Sequence, residues 1–492
     1  MGDGAEPEQL RAILDRQRQA FLSDGYPEAA LRRNRIDRLV ALVLDNADTF
    51  AEAMAADYGT RARAGSLFTE VLGMMSVIEH TRSHVPQWMR STKAMRAARV
   101  LGLRAEVAPC PLGVVGVIGP WNFPLNLVVL PAVAAFAAGN RVMIKMSEIT
   151  AQTAALMMAL APKYFDEAEL AVVTGGPEVA AAFSELPFDH LFFTGSPAVG
   201  AKVAEAAGRN LVPVTLELGG KNPVVVSRAA DLHRAAARIA QGRMINGGQV
   251  CVSPDHVFVP DERLGEFIEV ARNTLRSMFG SIVGNGDYCS SVNDANFDRV
   301  LALIDDAKEK GAVVEAVAPP GEALPDRHTR KIAPTIVRDV DDRMRISAEE
   351  VFGPVLVVRA YSTVSDVVDY LNGKPAPLVT YWFGPDDDEF RAFVRATRSG
   401  GVARNDFAAQ MIPSALPFGG VGTSGMGAYH GKAGFDTFSH HRSVVGTDLP
   451  FSVTGRAAPP FTKPMRSGTD LSLWLVHRRN RRRLRPGQAG AS

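Results

Sequence analysis

The chain has 492 residues, of which 46% are apolar, 22% charged and 7% aromatic. This composition is typical of a globular protein with several domains and excludes the disordered, collagen-like and coiled-coil classes. Lys and Arg number 54 and Asp and Glu 53, so the net charge of +1 gives no strong field and we expect no nucleic acid partner.

Three cysteines, Cys110, Cys251 and Cys289, are too few for a disulfide framework. They favour a reducing compartment in which one thiol can be reactive. The N-terminal residues 1–10 carry three acids and no apolar run, a pattern that predicts neither a secretory signal nor a basic transit peptide. We therefore expect a cytoplasmic protein.

The first elements predicted along the chain are helices, over residues 7–58. Apolar side chains recur there with a period near 3.6 and alternate with Arg and Asp. The positions that carry this period are Leu31, Ile36, Leu39, Val40, Leu42, Val43 and Leu44.

Residues 107–140 contain no charged side chain and have the hydropathy of a membrane span. Five prolines interrupt them, at positions 109, 111, 120, 124 and 131. Repeated prolines would break a helix and leave backbone groups unpaired in lipid. We therefore interpret the stretch as buried core.

Short apolar runs rich in β-branched residues then alternate with helix-like segments. Strands are predicted at 114–118, 142–144, 170–173 and 190–193, and a helix over 151–160. A second series has strands at 224–226 and 257–259 and helices over 232–244 and 264–278. This alternation is typical of parallel sheets with both faces covered, and the pair Gly219 and Gly220 predicts a domain boundary between the two series.

The chain is basic from residue 463. Eight Lys or Arg and one acid, Asp470, lie within 463–485, where the largely apolar residues 471–476 precede the main Arg run. We expect a solvated tail. The alternative is peripheral contact with an anionic membrane surface or a polyanion, although the apolar part is too short to span a bilayer.

Cys251 is the sharpest candidate for chemistry. It follows a glycine-rich bend at 246–250, where small residues would let a substrate approach the sulfur. The alternative is a free Cys buried as a small hydrophobe. Cys110 and Cys289 have no comparable surroundings.

Two further residues suit catalysis. Glu217 lies at the end of an apolar run, and burial raises the pKa of a carboxyl toward the range of a general base; the alternative is a structural Glu with a basic partner. Asn122, in a Pro-flanked apolar loop, offers a neutral donor that could face a developing oxyanion, although a turn-forming Asn would look the same.

A nucleotide site is indicated more weakly. Gly195 and Ser196 lie between a predicted strand and a helix start, where backbone amides can hold a diphosphate, but an ordinary turn would have the same sequence. Lys145 and Glu148 follow an apolar strand, where doubly wound sheets bind ligands. A carboxylate there can accept hydrogen bonds from ribose hydroxyls, although an exposed Lys and Glu are usually only surface.

Six short motifs occur in one order along the chain. They are Pro-Trp-Asn-Phe-Pro at 120–124, Lys-Met-Ser-Glu at 145–148, Phe-Thr-Gly-Ser at 193–196, Leu-Glu-Leu-Gly-Gly-Lys at 216–221, Gly-Gln-Val-Cys at 248–251 and Glu-Val-Phe-Gly-Pro at 350–354. In this order and spacing the chain resembles the aldehyde dehydrogenase superfamily over residues 35–442. The segments 417–422, 424–431 and 435–440 are similar to its class 3 branch, which includes coniferyl aldehyde and fatty aldehyde dehydrogenases.

The resemblance implies roles for individual residues and no metal. Cys251 would be the nucleophile, Glu217 the general base and Asn122 the oxyanion donor, together with the Cys251 backbone N–H. The expected cofactor residues are Lys145 and Glu148 at the adenosine ribose, Gly195 and Ser196 at the diphosphate, Glu350 and Phe352 at the nicotinamide ribose and ring, with Gly219 and Trp121 beside them. Met146, Gly247 and Val250 depart from the usual pattern, but none of them removes a reacting atom.

The resemblance also implies an α/β fold with a Rossmann-like cofactor domain and an α/β catalytic domain. We expect an NAD(P)-binding domain over 1–219, interrupted near 95–115 by a small β oligomerisation hairpin. A catalytic domain over 220–424, a return to the oligomerisation and cofactor region over 425–448 and a tail over 449–492 would follow. Relatives in class 3 are mostly dimers, so a homodimer is expected.

The activity that the resemblance implies is NAD(P)-dependent oxidation of an aldehyde to the carboxylic acid through a cysteine thiohemiacetal and a thioester. The substrate would be an aromatic aldehyde such as coniferyl aldehyde, or a medium- or long-chain aliphatic one. Glu148 favours NAD because it would repel a 2′-phosphate, but class 3 relatives also accept NADP. The alternatives are a CoA-acylating enzyme, which the presence of Glu217 disfavours, and a binding protein that kept only the fold.

Overall fold

The computed structural model describes residues 6–94, 102–450, 452, 454–455 and 458–484. Its α-helices are α1 Pro7–Asp24, α2 Ala29–Asp45, α3 Ala47–Tyr58, α4 Arg63–Ser66, α5 Gly73–Trp88, α6 Asn126–Ala138, α7 Ala151–Tyr164, α8 Pro177–Ser184, α9 Pro197–Arg209, α10 Leu232–Met244, α11 Leu264–Met278, α12 Asp294–Glu309, α13 Arg345–Ala348, α14 Val364–Asn372, α15 Asp388–Ala396, α16 Gly431–Thr437 and α17 Lys463–Leu484. A π-helix, Leu67–Leu72, joins α4 to α5.

The strands are β1 Thr92–Lys93, β2 Leu103–Pro111, β3 Val114–Ile118, β4 Arg141–Lys145, β5 Leu170–Val173, β6 His190–Gly195, β7 Val214–Leu218, β8 Pro223–Val226, β9 His256–Pro260, β10 Val313–Ala316, β11 Thr335–Arg338, β12 Val355–Tyr361, β13 Val379–Phe383, β14 Gly401–Arg404, β15 Gly425–Met426 and β16 Ser439–Thr447. The chain divides into two units, residues 1–90 with 109–441 and residues 91–108 with 442–492.

A six-stranded sheet in the first unit has the order β15-β7-β6-β3-β4-β5. Strands β3 to β7 run parallel and β15 pairs antiparallel with β7. Every residue of β3 and of β4 is buried, because helices cover both faces of a parallel sheet. The strands predicted at 114–118, 142–144, 170–173 and 190–193 are therefore confirmed.

The uncharged residues 107–140 form the end of β2, all of β3 and helix α6. All residues of α6 from Leu127 to Ala138 are buried, including Pro131, so the interpretation as core is confirmed. Among the described residues no helix combines the length and hydropathy that crossing a membrane requires.

A seven-stranded sheet in the same unit has the order β10-β11-β12-β9-β8-β13-β14. Only β10 and β11 pair antiparallel among its described strands. Helices α10 and α11 have the bounds predicted from their apolar period, 232–244 and 264–278. Both sheets carry the strand and helix alternation that the sequence predicted.

Residues 7–58 form the three helices α1, α2 and α3, as predicted. Ile36, Leu39 and Val43 are fully buried. Leu31 and Leu44, which we assigned to the same apolar period, are 40% and 48% exposed. They lie off the buried face of α2, on which their immediate neighbours Arg32 and Val43 are 3% and 0% exposed.

The second unit contains β1, most of β2 and β16, and helix α17. Strand β1 pairs antiparallel with β2, with Thr92 opposite Val107 and Lys93 opposite Glu106, and the three strands have the order β1-β2-β16. Part of the expected hairpin, residues 95–101, and the end of the expected basic tail, residues 485–492, lie outside the described residues.

Candidate active site

One cavity of about 850 Å³ in the first unit brings together residues from both sheets. Its lining includes the three expected catalytic residues, Cys251, Glu217 and Asn122, and six expected cofactor residues, Trp121, Gly195, Ser196, Gly219, Glu350 and Phe352. Lys145 and Glu148 are not among the residues that line it.

Cys251 is presented by the bend that follows α10. Asn246, Gly247 and Gly248 have φ values of 48°, 63° and 78°, a left-handed run that glycine adopts without steric cost. A Cβ on Gly248 would also overlap the carbonyl oxygen of Gly353. Glycine is therefore favoured at position 247 and required at position 248, and the thiol that follows them is only partly buried and lines the cavity.

The backbone around Cys251 is held by two buried side chains. Asn222 Nδ2 donates to the Cys251 carbonyl at 2.7 Å, and the Tyr381 hydroxyl donates to the Val252 carbonyl at 2.6 Å. These bonds satisfy carbonyls that the bend leaves without strand partners. They leave the Cys251 side chain free to face the cavity.

The surroundings of the Cys251 thiol favour its protonated form. Burial raises its pKa to about 12, and the negative charges of Glu350 and Glu217 act in the same direction. The thiolate is the nucleophilic form. A base or a change in the local charge is therefore needed before this sulfur can attack.

Glu217 lies on β7, between Thr194 of β6 and Gly425 of β15. Its side chain is 3% exposed, and neither carboxylate oxygen has a hydrogen-bond partner among the described residues. Burial raises its pKa well above the ordinary value. An ion-paired structural Glu, the alternative stated above, does not fit these contacts.

Asn122 lies beside the cysteine bend. Its Nδ2 donates to the Gln249 carbonyl at 3.2 Å. The backbone carbonyl oxygen of Asn122 accepts three hydrogen bonds. They come from Arg61 Nη1 at 3.1 Å, from Asn246 Nδ2 at 3.2 Å and from the Tyr58 hydroxyl at 3.3 Å. Donors from two distant segments thus fix the backbone that carries the Asn122 amide.

The start of helix α9 forms another wall of the cavity. Gly195, Ser196 and Ala198 line it, and Ser196 caps the helix by accepting from the Val199 N–H at 3.4 Å. The positive end of a helix of this length attracts anions such as a diphosphate. Thr194, next to it, has a buried hydroxyl with no hydrogen-bond partner among the described residues.

Glu350 and Phe352 also line the cavity, and they lie in the segment between α13 and β12, a strand of the other sheet. A Cβ on Gly219 would overlap the Glu350 carboxylate, so a side chain at this position would displace that carboxylate from its present place. Burial, with the charge of Asp255, raises the pKa of Glu350 to about 8. Phe352 has φ +50°, a conformation that is strained for a bulky residue and common at functional sites.

The Phe352 ring meets Trp121 edge-on, with centroids 5.3 Å apart and planes at 79°. Aromatic walls, a helix N-terminus and a buried carboxyl are the groups that a nicotinamide dinucleotide requires for its ring, diphosphate and ribose. The residues of this cavity therefore fit NAD(P).

A network that sequence reasoning missed holds the Glu350 segment. Arg299 donates to the carbonyls of Glu350 at 3.0 Å and Val351 at 2.6 Å. Asp255 accepts from the Val351 N–H at 2.9 Å and is ion-paired with Lys221. Lys221 belongs to the motif at 216–221, but no local pattern marks Asp255 as its partner or Arg299 as a donor to the Glu350 segment.

Lys145 and Glu148 come together at the end of β4. Lys145 Nζ donates to Glu148 Oε2 at 2.8 Å. The lysine side chain is 1% exposed and the glutamate side chain 38%. The structure thus pairs them, with the carboxylate toward solvent.

Comparison with known proteins agrees with this geometry. The family model of the aldehyde dehydrogenase family matches residues 3–444. A coniferyl aldehyde dehydrogenase of a Pseudomonas species is 45% identical over 438 residues, which is 89% of this chain and 91% of that protein. A dimeric NADP-preferring aldehyde dehydrogenase of Rattus norvegicus is 37% identical over 438 residues, or 89% of this chain and 94% of that protein.

Among solved structures, the substrate-bound state of Staphylococcus aureus AldH superimposes with a TM-score of 0.85 at 31% identity. The match covers 94% of this chain and 98% of that one. The chain therefore belongs to the aldehyde dehydrogenase family and is an NAD(P)-dependent enzyme that oxidises aldehydes.

Proposed function

We propose that the enzyme oxidises an aromatic aldehyde of the coniferyl type to the carboxylic acid, with Cys251, Glu217 and Asn122 as its catalytic residues. The observation that carries the proposal is that these three side chains line one cavity. The aromatic substrate is supported by the 45% identical relative and by Trp121, Phe418 and Tyr429 in the cavity wall. Aromatic rings pack well against such walls.

The first step joins the Cys251 sulfur to the carbonyl carbon of the aldehyde. The thiol proton passes to the Glu217 carboxylate, which releases it to solvent before the hydrolysis step, and as the C–S bond forms the carbonyl oxygen becomes an alkoxide. Asn122 Nδ2 exchanges its bond to the Gln249 carbonyl for a bond to this oxygen, with the Cys251 N–H as the second donor. Removing one such donor costs about 3 to 4 kcal/mol in comparable sites.

When bound, NAD(P) would supply the hydride acceptor that oxidation of the thiohemiacetal to a thioester requires. The residues that would hold it are Glu350 and Phe352 at the nicotinamide end and Ser196 at the diphosphate. Lys145 and Glu148 would hold the adenosine ribose. Their task is alignment of the cofactor with the carbon bound to Cys251.

The last step is hydrolysis of the thioester. Glu217 takes a proton from a water molecule, whose oxygen attacks the acyl carbon as the C–S bond breaks. The acid leaves and the Cys251 sulfur regains a proton. A carboxyl with a raised pKa suits this role, because a general base works best when its pKa lies near the working pH.

We further propose NAD as the preferred cofactor. The Glu148 carboxylate, which is paired with Lys145, would repel the 2′-phosphate of NADP. The rat relative is named as NADP-preferring, so the two cofactors must be compared directly.

The domain division into 1–219, 220–424, 425–448 and 449–492 is also a proposal. It is supported by the content of the two sheets, since β3 to β7 and β15 form one and β8 to β14 the other. A homodimer is supported by the name of the rat relative. A cytoplasmic location is supported by the small number of cysteines in the sequence.

Steady-state kinetics with coniferyl aldehyde and with a series of straight-chain aldehydes, each with NAD and NADP, test the proposal. We expect the highest kcat/KM for the aromatic substrate with NAD. Cys251→Ala should abolish turnover and leave nucleotide binding intact, whereas the matched variant Cys289→Ala should retain turnover. Undiminished turnover in Cys251→Ala would remove the proposed mechanism.

A further inference from the structure

Helix α17 exposes a block of large apolar side chains. It has 22 residues, and within it Leu471, Leu473, Trp474, Leu475 and Val476 each keep between 52% and 68% of their surface accessible. Contiguous exposed apolar surface commonly marks an interaction site. This block therefore points to a partner that removes it from water.

The apolar side chains surround the helix instead of forming a stripe. Successive residues of an α-helix are rotated by about 100°, so the four consecutive residues Leu473–Val476 with Leu471 face all directions around the axis. A protein surface or a groove covers one side of a helix. A medium in which the segment is immersed covers every side.

The length of the block suits one leaflet of a membrane. Six residues at about 1.5 Å each span about 9 Å along the helix axis, which is enough to enter one side of a bilayer. Crossing the hydrocarbon core needs about 30 Å, and no described helix is suited to do so. The geometry favours insertion at a surface.

Positive charge follows the apolar block directly. Arg478, Arg479, Arg481, Arg482 and Arg483 occupy five of the next seven positions, and Asp470 is the only acid within 463–484. The Arg478 guanidinium lies over the Trp474 ring, 5.2 Å from its centroid. Arginines of this kind bury their stems along apolar surface and keep the charge at anionic headgroups.

We propose that α17 binds the surface of an anionic lipid bilayer and holds this aldehyde-oxidising enzyme there without spanning it. A nucleic acid would engage the arginines but leave the apolar block in water. A second copy of the chain would bring a second set of like charges to the same place. An anionic bilayer alone satisfies both parts of the helix.

The full-length enzyme is sedimented with vesicles of phosphatidylcholine alone and of phosphatidylcholine mixed with phosphatidylglycerol. We expect sedimentation with the mixed vesicles, reduced at least tenfold without the anionic lipid and weakened by salt, which screens surface charge. The double variant Leu473→Ser/Leu475→Ser and the double variant Arg481→Gln/Arg482→Gln should each lose most of the binding. Leu22→Ser, an equally exposed leucine on α1, should bind as the wild type does.

Solution turnover of the aldehyde is measured on the same samples and should be equal for all variants, because α17 contributes no residue to the proposed catalytic set. Failure to sediment with the anionic vesicles overturns the proposal. So does a change of oligomeric state in the leucine variant without lipid, which would assign the block to a second copy. Binding of an oligonucleotide that survives the leucine substitutions, with no lipid binding, would assign the arginines to nucleic acid instead.

Discussion

Arg61 and Glu70 form a buried ion pair that holds the loop carrying Asn122 at Asn122 itself and at the C-terminal end of the loop. Arg61 Nη2 lies 2.7 Å from Glu70 Oε1, and the two side chains are 4% and 0% exposed. Arg61 also donates to the Asn122 carbonyl at 3.1 Å, and Glu70 Oε2 accepts from the Asn126 N–H at 2.9 Å. Glu70 lies on the π-helix Leu67–Leu72, an element often found at functional sites.

Replacing Glu70 by Gln should destabilise the protein. Removal of one partner leaves the Arg61 charge buried without a counter-ion, which costs about 3 to 5 kcal/mol. Urea unfolding of the variant measures this loss. Glu205→Gln, which breaks the exposed pair with Arg209, is the matched control and should cost less than about 1 kcal/mol.

Replacing both partners separates stability from positioning. The double variant Arg61→Met/Glu70→Leu should recover much of the stability, because apolar residues often substitute well for a buried pair. Its kcat should still be about a hundredfold lower, since the Asn122 loop has lost the Arg61 donor and the Glu70 acceptor, while NAD binding is unchanged. If turnover recovered together with stability, the pair would have no role in placing Asn122.

Replacing Glu350 by Gln should make Cys251 more reactive, but only at high pH. Burial sets the pKa of Cys251 to about 12, with the Glu350 charge as a further cause. The pKa of Glu350 is itself raised by burial to about 8, so its charge appears only above that pH.

Alkylation of Cys251 by iodoacetamide, followed on its peptide by mass spectrometry, tests this. Below pH 8 the variant and the wild type should react at the same rate, and above it the variant should react faster. Both rates should rise about tenfold per pH unit until the thiol ionises. A rate already constant at neutral pH would show that the thiolate is present in the free enzyme.

Replacing Glu217 by Gln should change how stability depends on pH. Burial raises the pKa of Glu217 in the folded state well above the ordinary value of 4.5, so the folded protein binds the proton more tightly than the unfolded chain. This favourable contribution is fully present below pH 4.5 and is lost as the pH rises toward the folded pKa.

The wild type should therefore lose stability relative to Glu217→Gln by up to about 1.4 kcal/mol per pH unit above that value. Unfolding in urea across the pH range measures the difference. The exposed Glu205→Gln serves again as the control and should give parallel curves. Parallel curves for Glu217→Gln would mean that its carboxyl is solvated or paired in solution.

Replacing Glu148 by Gln should shift the cofactor preference toward NADP. The 38% exposed carboxylate would repel a 2′-phosphate, and the substitution removes that repulsion. We expect the ratio of kcat/KM for NADP to that for NAD to rise about tenfold, which corresponds to about 1.4 kcal/mol. An unchanged ratio would place the 2′-hydroxyl away from Glu148.

Local patterns were enough to predict the elements that carry the site. The run 114–118 and the helices 232–244 and 264–278 have the predicted bounds because their apolar period is complete. The glycine-rich bend before Cys251 was also expected. Glycine suits this bend because the φ values there are left-handed and because the Gly353 carbonyl lies close to Gly248.

Long-range pairs could not be predicted in this way. Arg61 and Glu70 come from a segment far from Asn122 in sequence, and a π-helix has no periodic signature of its own. Asp255 directly precedes β9 and Arg299 lies on α12, and the two residues come together only through their bonds to Val351. The Glu217 carboxylate has no hydrogen-bond partner among the described residues. The strand that pairs with its backbone on one side, β15, has only two residues and leaves little signal in the sequence.

The most direct test is to trap the acyl group on the sulfur. In Glu217→Gln, the thioester should form with aldehyde and NAD but hydrolyse slowly, because the base is missing. Mass spectrometry should then find the acyl group on the Cys251 peptide, with Cys110 and Cys289 unmodified. An acyl group on another residue, or its absence while NADH is still formed, would contradict the assignment of Cys251 as the nucleophile.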